Sequence, residues 1–178
     1  MQASPFRPLA LRHPSPFPYI VFAGPCSAET EAQTFATAEA LRARGIRLFR
    51  ASLWKPRTRP GSFEGVGSEG LPWLQRVERE LGMQVATEVA SASHVEEALA
   101  AGLDTFWIGA RTTTSPFAMA ELAEALSGER VTVLVKNPLN PDIELWEGAL
   151  LRLYQAGIPQ IGAIHRGFST YAKGLYRN

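Results

Sequence analysis

The chain has 178 residues, of which 46% are hydrophobic and 20% charged, as in a globular protein with one substantial core. Its formal net charge of +1 argues against nucleic-acid binding through overall charge, and its single cysteine excludes an intrachain disulfide framework. No apolar run approaches the roughly 20 residues that span a bilayer. We therefore expect a cytoplasmic protein with neither a membrane nor a nucleic-acid partner.

Residues 1–18 are rich in proline and predict an extended arm, and residues 19–178 predict one catalytic domain. Short apolar runs in that domain predict six strands, at Tyr19–Ala23, Arg47–Arg50, Gln84–Glu88, Thr105–Ile108, Val131–Val135 and Gln160–Ile164. Apolar residues at helical spacing between them predict helices at Glu29–Arg44, Leu71–Leu81, His94–Ala101, Phe117–Leu126 and from Asp142 to Tyr154. Ser93 is the expected N-cap of the third helix.

Strands that alternate with helices at this rhythm predict right-handed crossovers and a parallel sheet. An open doubly wound sheet predicts a glycine-rich turn after the first strand, and Gly24-Pro25-Cys26 is not such a turn. The pattern therefore favours an α/β fold of the (β/α)8 TIM-barrel class, with about six strands and five helices present. A complete barrel takes about 250 residues. We expect a truncated coding sequence whose product is inactive or poorly folded by itself.

Residues suited to anion or metal chemistry follow the predicted strands at or just past their C-terminal ends. They are Cys26, Arg50 with Lys55, Glu88, Arg111, Lys136 and Arg166. Active sites of barrel enzymes are assembled at that end of the strands. Arginine and lysine bind phosphate and carboxylate, and a cluster of cations is tolerable only if an anion neutralises it. Glu88 is either such a counter-charge or a hydrogen-bond acceptor behind the site.

The segment Ala51–Gly70 predicts an unusually long, functional loop, because it contains two prolines and four glycines. Three cations lie within the eight residues 50–57. Arg50 comes just before the segment, and Lys55 and Arg57 lie on either side of Pro56. Cys26 is open to three interpretations: a nucleophile, a ligand of a divalent metal, or a buried structural cysteine.

Five motifs in order resemble 3-deoxy-D-arabino-heptulosonate 7-phosphate (DAHP) synthase, in its bacterial type I beta-like branch. They are Gly-Pro-Cys-Ser-Ala-Glu at 24–29, Lys-Pro-Arg-Thr at 55–58, Gly-Ala-Arg-Thr at 109–112, Val-Lys-Asn-Pro at 135–138 and His-Arg-Gly-Phe at 165–168. The resemblance implies a TIM barrel that condenses phosphoenolpyruvate with erythrose 4-phosphate and releases phosphate, the first step of the shikimate pathway.

The resemblance also implies roles for individual residues. Phosphoenolpyruvate would be held by Arg50, Lys55, Arg111, Lys136 and Arg166, and erythrose 4-phosphate by Arg57 and Thr58 on the loop that Pro56 shapes. Lys55 is the candidate proton donor, although a purely electrostatic role fits equally. Cys26 would be one of four ligands to a divalent metal ion (Mn, Fe, Co or Zn), with the others beyond this sequence. The full-length protein would be a homo-oligomer, and a chorismate mutase domain can follow the barrel in this branch.

Three alternatives remain at this point. The sister enzyme 3-deoxy-D-manno-octulosonate 8-phosphate synthase uses arabinose 5-phosphate and tends to carry Lys-Ala-Asn-Arg where this chain has Lys-Pro-Arg-Thr. A non-catalytic protein would keep anion binding without releasing phosphate. An enzyme with Cys26 as nucleophile would lose activity on Cys26→Ala without losing metal.

Overall fold

The computed structural model describes residues 9, 12, 16–57 and 59–169. Over these residues the chain forms six strands: β1 (Phe22–Ala23), β2 (Leu48–Arg50), β3 (Gln84–Val89), β4 (Thr105–Ile108), β5 (Thr132–Lys136) and β6 (Gln160–Ile164). The helices of the same part are α1 (Glu31–Ala43), α2 (Leu71–Leu81), α3 (Ala92–Ala100), α4 (Ala110–Thr113), α5 (Pro116–Ala125) and α6 (Ile143–Gln155). A 3-10 turn at Gly67–Gly70 precedes α2.

Hydrogen bonds order the strands as they occur in the chain, from β1 to β6. The pairs β1–β2, β2–β3 and β5–β6 are parallel, with Leu48 opposite Gln84 and Thr132 opposite Gln160. The predicted alternation of strand and helix with a parallel sheet is therefore confirmed. Such a sheet brings the C-terminal ends of neighbouring strands to the same edge.

Several element boundaries differ from the predictions. Strand β1 has only two residues, because Tyr19 and Ile20 are 62% and 44% exposed and do not join the sheet. The prediction of Ser93 as an N-cap is wrong: α3 already includes Ala92 and Ser93, and the Ser91 hydroxyl accepts the His94 N–H at 3.4 Å.

The short helix α4 was not predicted. Gly109 precedes it, and the carbonyl of Gly109 accepts both the backbone N–H (2.9 Å) and the hydroxyl (3.0 Å) of Thr113. The segment that follows β4 therefore turns helically at once, and Arg111 lies on this turn.

The chain divides into two compact units. Of the described residues, the first unit contains 12, 16–57, 59–88 and 96–105, and the second contains 9, Val89–Val95 and 106–169.

In the first unit, helices α1 and α2 pack side by side. The Arg42 Nε donates to the carbonyl of Leu81 at 2.7 Å, and the guanidinium of Arg76 pairs with Glu31 at 3.0 Å while it covers the ring of Phe35. The apolar core of this unit includes Phe49, Leu53, Leu74, Val77 and Val85, each with no exposed surface. This burial stabilises the strands that carry the loops described below.

In the second unit, helices α5 and α6 begin at side-chain caps. Ser115 accepts the Ala118 N–H before Pro116, and Asp142 accepts the Leu145 N–H at 2.8 Å, as the sequence predicts for Asp142. Apolar residues of strands and helices meet in a core that includes Phe106, Ile108, Met119, Leu122, Val133, Val135 and Leu153.

Most of the predicted arm, residues 1–18, lies outside the described residues. Arg12 is described, and it donates to Glu78 at 2.6 Å, to Asp104 at 3.2 Å and, through its backbone, to Gln84 at 3.2 Å. No described helix combines the length and apolar character that crossing a membrane requires.

Candidate active site

In the first unit, the loop that carries Cys26 lies against the end of β2. Gly24 has φ +153°, and a Cβ at this position would overlap the carbonyl oxygen of Arg50. Two residues past Cys26, the Ala28 N–H donates to the carbonyl of Ser52 at 3.0 Å. The close approach therefore requires glycine at position 24 and places Cys26 beside the residues that follow β2.

The long loop after β2 is ordered by backbone hydrogen bonds at its base. Trp54 and Gly65 form an antiparallel bridge, the Lys55 N–H donates to Glu64 at 2.8 Å, and the Gly67 N–H donates to Leu53 at 3.0 Å. These bonds fix the backbone from which Lys55 projects, so the side chain is positioned before any ligand binds.

The two predicted loop residues next to Lys55 are held by the same structure. Pro56 is half-buried, and the exposed Arg57 donates from Nε to the carbonyl of Phe63 at 2.8 Å. Thr58, the fourth residue of the Lys-Pro-Arg-Thr motif, lies outside the described residues.

Lys55 and Cys26 contact one another directly. The Nζ of Lys55 lies 3.0 Å from the Cys26 Sγ and 2.8 Å from the Cys26 carbonyl oxygen. A buried structural cysteine is therefore the wrong interpretation, because Cys26 is exposed and has an ionic partner. Both residues are brought together as the sequence predicts for a shared site.

The electrostatic surroundings favour the thiolate form of Cys26. The hydrogen bond from Lys55 lowers the pKa of the thiol below its ordinary value, and partial burial opposes that change. The positive charges of Lys55, Arg50 and Arg57 lower the pKa further. Since a thiolate is both the nucleophilic and the metal-binding form, the cations of this unit prepare Cys26 for either role.

Behind this surface, polar side chains are buried along β3. Glu88 is 9% exposed and accepts the Ser52 hydroxyl at 3.3 Å, and the fully buried Thr87 accepts the Leu53 N–H at 3.2 Å. Sequence reasoning selected Glu88 but missed Ser52 and Thr87. The only available signal was that both are polar residues within otherwise apolar segments.

In the second unit, cations again follow the strand ends. Lys136 is the last residue of β5, and its Nζ lies 5.1 Å from the centre of the Trp107 ring, over the face of a side chain that is 3% exposed. An aromatic face stabilises a lysine charge at a half-buried position. Arg111 is exposed on α4, just after β4.

Arg166 follows β6 and is anchored through its backbone. Its N–H donates to the Oδ1 of Asn137 at 2.6 Å, and its Nη1 is buried without a hydrogen-bond partner among the described residues. A buried guanidinium nitrogen that lacks an acceptor is costly. It is therefore a candidate contact for an anionic ligand. Sequence reasoning did not select Asn137, although it lies in the Val-Lys-Asn-Pro motif.

The described residues contain no group of three or more His, Cys, Asp and Glu side chains that could hold a metal ion. Cys26 is a residue type that binds divalent metals, but it does not belong to such a group among these residues. The ligand and substrate roles of all these residues stay predictions.

Comparison with known proteins adds the decisive observation. A model of the DAHP synthetase I family matches residues 16–178. The chain belongs to the DAHP synthetase I family. The predicted family resemblance is thereby confirmed.

Individual relatives agree with this assignment. The chain is 30% identical over 155 residues to the phospho-2-dehydro-3-deoxyheptonate aldolase of Thermotoga maritima, which covers 87% of this chain and 44% of that protein. It is also 40% identical over 79 residues to a 2-dehydro-3-deoxyphosphooctonate aldolase of Acidithiobacillus ferrooxidans, which covers 40% of this chain and 28% of that protein.

Solved structures show the same fold. The crystal structure of the Thermotoga maritima phospho-2-dehydro-3-deoxyheptonate aldolase matches with a TM-score of 0.76 at 27% identity, over 89% of this chain and 44% of that chain. A truncated form of the 3-deoxy-D-arabino-heptulosonate 7-phosphate synthase from the same organism matches with a TM-score of 0.71 at 26% identity, over 87% of this chain and 54% of that chain.

These matches confirm the predicted fold class, part of a TIM barrel of the DAHP synthetase I family. The chain spans less than half the length of the Thermotoga maritima relative.

Proposed function

We propose that the chain serves the condensation of phosphoenolpyruvate with erythrose 4-phosphate, which gives 3-deoxy-D-arabino-heptulosonate 7-phosphate and inorganic phosphate. The observation that carries the proposal is the contact of Lys55 with Cys26 in a member of this family. Lys55 lies on the ordered loop after β2 and is the first residue of the Lys-Pro-Arg-Thr motif. The contact sets Lys55 of this loop beside the Cys26 sulfur. The proposed reaction would use cations to bind phosphate and the thiolate to hold a metal ion.

Phosphoenolpyruvate carries a phosphate and a carboxylate on three carbons, so its site must supply several cations at close range. The proposed cations are Arg50, Lys55, Arg111, Lys136 and Arg166. Guanidinium groups bind phosphate and carboxylate oxygens in pairs, and lysine adds a compact charge. The buried and unpartnered Nη1 of Arg166 and the half-buried Lys136 support the proposal, because each has been withdrawn from water and gains most from an anion.

Erythrose 4-phosphate would meet the tip of the same loop. Arg57 uses Nε to hold the carbonyl of Phe63, and this bond leaves its two Nη groups to face a phosphate. Thr58 would add a hydroxyl, and Pro56 would restrict the backbone between Lys55 and Arg57.

The bond changes follow from the chemistry of an enol phosphate. C3 of phosphoenolpyruvate attacks the aldehyde carbon, a new C–C bond forms, and the aldehyde oxygen takes a proton. Water adds at C2, and cleavage of the C2–O bond then releases inorganic phosphate and leaves the 2-keto product. Lys55, whose Nζ lies beside the Cys26 sulfur, would donate the proton to the developing alkoxide. The surrounding cations would stabilise the negative charge that develops.

Cys26 has the chemistry of a metal ligand, since it is exposed and its pKa is lowered by the hydrogen bond from Lys55. It would hold a divalent ion (Mn, Fe, Co or Zn) together with ligands other than the described residues. When bound, such an ion supplies Lewis-acid polarisation of a carbonyl oxygen. Loss of metal on Cys26→Ala would support this role, whereas unchanged metal content with loss of activity would support a nucleophilic cysteine.

The second candidate is the condensation with arabinose 5-phosphate that makes 3-deoxy-D-manno-octulosonate 8-phosphate. The similarity to 2-dehydro-3-deoxyphosphooctonate aldolases favours it, at 40% identity over 79 residues. Against it stands the loop sequence Lys55-Pro56-Arg57-Thr58, where that enzyme tends to carry Lys-Ala-Asn-Arg.

The test mixes a full-length version of the protein with phosphoenolpyruvate, a divalent metal and one of the two aldose phosphates, and measures phosphate release and the mass of the product. Inactivity of the 178-residue chain by itself stays a prediction. We expect a seven-carbon product with erythrose 4-phosphate and far slower turnover with arabinose 5-phosphate. Exclusive turnover of arabinose 5-phosphate would overturn the proposal. Binding of phosphoenolpyruvate with no phosphate release from either sugar would favour a non-catalytic anion-binding protein.

Under this proposal the partners are small phosphorylated substrates. A homo-oligomer, a following chorismate mutase domain, an arm over residues 1–18 and a cytoplasmic location stay predictions.

A further inference from the structure

Asn137 occupies a buried position immediately after the cation at the end of β5. It has no exposed surface, and its backbone N–H donates to the carbonyl of Ile164 at 3.1 Å. This bond extends the pairing of β5 with β6 one residue beyond Lys136 and Ile164, the last pair of the two strands. Asn137 therefore lies where the chain leaves the sheet after Lys136, beside the loop that carries Arg166.

Both the oxygen and the nitrogen of the Asn137 side-chain amide form hydrogen bonds to the loop after β6. Its Oδ1 accepts the Arg166 N–H at 2.6 Å. Its Nδ2 donates to the carbonyl of Gly167 at 3.1 Å and to the carbonyl of Pro138 at 2.8 Å. The surroundings assign the two ends of the amide, because two carbonyls require a donor and a backbone N–H requires an acceptor.

No other side chain of similar size satisfies these three groups. Aspartate would place a carboxylate oxygen against two carbonyls, and leucine would leave one N–H and two carbonyls without partners in a buried place. Unsatisfied buried groups are costly, so the amide is specific to this arrangement.

The amide of Asn137 accepts the backbone N–H of Arg166. The Nη1 of the Arg166 guanidinium is buried and has no hydrogen-bond partner in the described part of the chain. The backbone of Arg166 is fixed on both sides, at its own N–H and at the carbonyl of Gly167. A small change in that backbone would displace the guanidinium at the end of the side chain, and binding through paired N–H groups depends on its orientation.

We propose that Asn137 is a positioning residue that holds Arg166 in the orientation that binds the anionic groups of the substrate. The inference rests on the proposed function, in which Arg166 contacts phosphoenolpyruvate. Asn137 itself need not touch the substrate. Asn137 should therefore contribute to the affinity for phosphoenolpyruvate only by orienting Arg166.

The test is a double-mutant cycle on the affinity for phosphoenolpyruvate, measured by calorimetry on the 178-residue chain and its variants Asn137→Ala, Arg166→Met and the combination. Each single change should weaken binding by about 10-fold to 100-fold, the range for losing one hydrogen bond to a charged group. In the Arg166→Met background, Asn137→Ala should weaken binding by less than about 2-fold, because the residue through which it acts is gone.

Thr105→Val is the control for a lost buried hydrogen bond. The Thr105 hydroxyl accepts from Gln84 at 2.7 Å and is fully buried at the start of β4, the opposite end of the strand from the loops. The Thr105→Val change should lower the melting temperature without changing the affinity for phosphoenolpyruvate. If Asn137→Ala does not fold, Asn137→Asp takes its place in the cycle, since it keeps the acceptor for Arg166 and loses both donated bonds.

The outcomes separate the two proposals. Coupled losses support the positioning role. Equal weakening by the Asn137 variant with and without Arg166 overturns that role and leaves the proposed function standing. Absence of phosphoenolpyruvate binding by the unchanged chain overturns the proposed function and the positioning role with it.

Discussion

The Nζ of Lys55 lies 3.0 Å from the Sγ of Cys26, although the two residues are 29 positions apart in the chain. The contact joins the loop after β1 to the loop after β2. An ammonium group at this distance stabilises the thiolate over the thiol, so the pair determines how the sulfur reacts.

The first prediction concerns the pH dependence of that sulfur. Cys26 is the only cysteine in the sequence, so alkylation by iodoacetamide reports on it alone. In metal-free protein the alkylation rate should rise with pH around an apparent pKa below the ordinary value of 9.0. Lys55→Met should raise that pKa, because the largest stabilisation of the thiolate is removed. At neutral pH the variant should therefore react more slowly.

Arg57→Met is the matched comparison for this prediction. It removes a positive charge that also lowers the pKa of Cys26, but without a hydrogen bond to the sulfur, so its effect should be smaller. Equal changes in the two variants would contradict the assignment of the hydrogen bond as the main cause.

The second prediction compares the two ends of strand β5. Lys136 is the last residue of the strand and is half-buried over Trp107, whereas Arg130 is exposed before its first residue. Lys136→Met should weaken phosphoenolpyruvate binding by about 10-fold to 100-fold, as expected for the loss of a charge-assisted contact. Arg130→Met removes the same charge from the other end and should change the affinity by less than about 2-fold. Similar losses in both variants would indicate an effect of net charge in place of a local site.

The third prediction concerns two glycines of the loop that carries Lys55. Gly65 and Gly61 both have positive φ, +102° and +78°, but a Cβ at Gly65 would overlap the carbonyl oxygen of Leu53, whereas one at Gly61 meets nothing within 4 Å. Gly61→Ala should cost only the backbone strain, about 1 kcal/mol in the free energy of unfolding. Gly65→Ala should cost roughly 3 kcal/mol or more, because backbone must also move. Urea unfolding of the two variants measures the difference, and equal costs would argue against the bridge between Trp54 and Gly65.

The fourth prediction tests the buried support of the same loop. Thr87 accepts the Leu53 N–H at 3.2 Å and has no exposed surface. Thr87→Val keeps the shape but removes the acceptor, so the free energy of unfolding should fall by about 1–3 kcal/mol. Thr87→Ser keeps the acceptor and loses one methyl group, at about 0.8 kcal/mol. Hydrogen exchange at the Leu53 amide should accelerate in the valine variant only, and unchanged exchange there would contradict this role of Thr87.

The order and type of the main elements could be predicted from the sequence because both depend on local patterns. Strands β4 and β6 and helix α2 have the predicted bounds, since glycine or proline lies close to their ends. The prediction was less accurate where local signals compete. Ser91 and Ser93 are both acceptable caps for α3, and the hydroxyl that accepts the His94 N–H is that of Ser91. Helix α4 depends on the carbonyl of Gly109 meeting Thr113, which no periodicity reveals.

By itself, the sequence determined the α/β class, the alternation of strands and helices, and the motifs that mark the family, because each is a property of neighbouring residues or of their spacing. Only the tertiary structure decided which side chains act on one another. Lys55 meets Cys26, and Asn137 holds Arg166, across 29 residues in each case. The physical reason is that parallel strands bring distant loops to a common edge, and the hydrogen bonds between those loops depend on sub-ångström placement that no local pattern encodes.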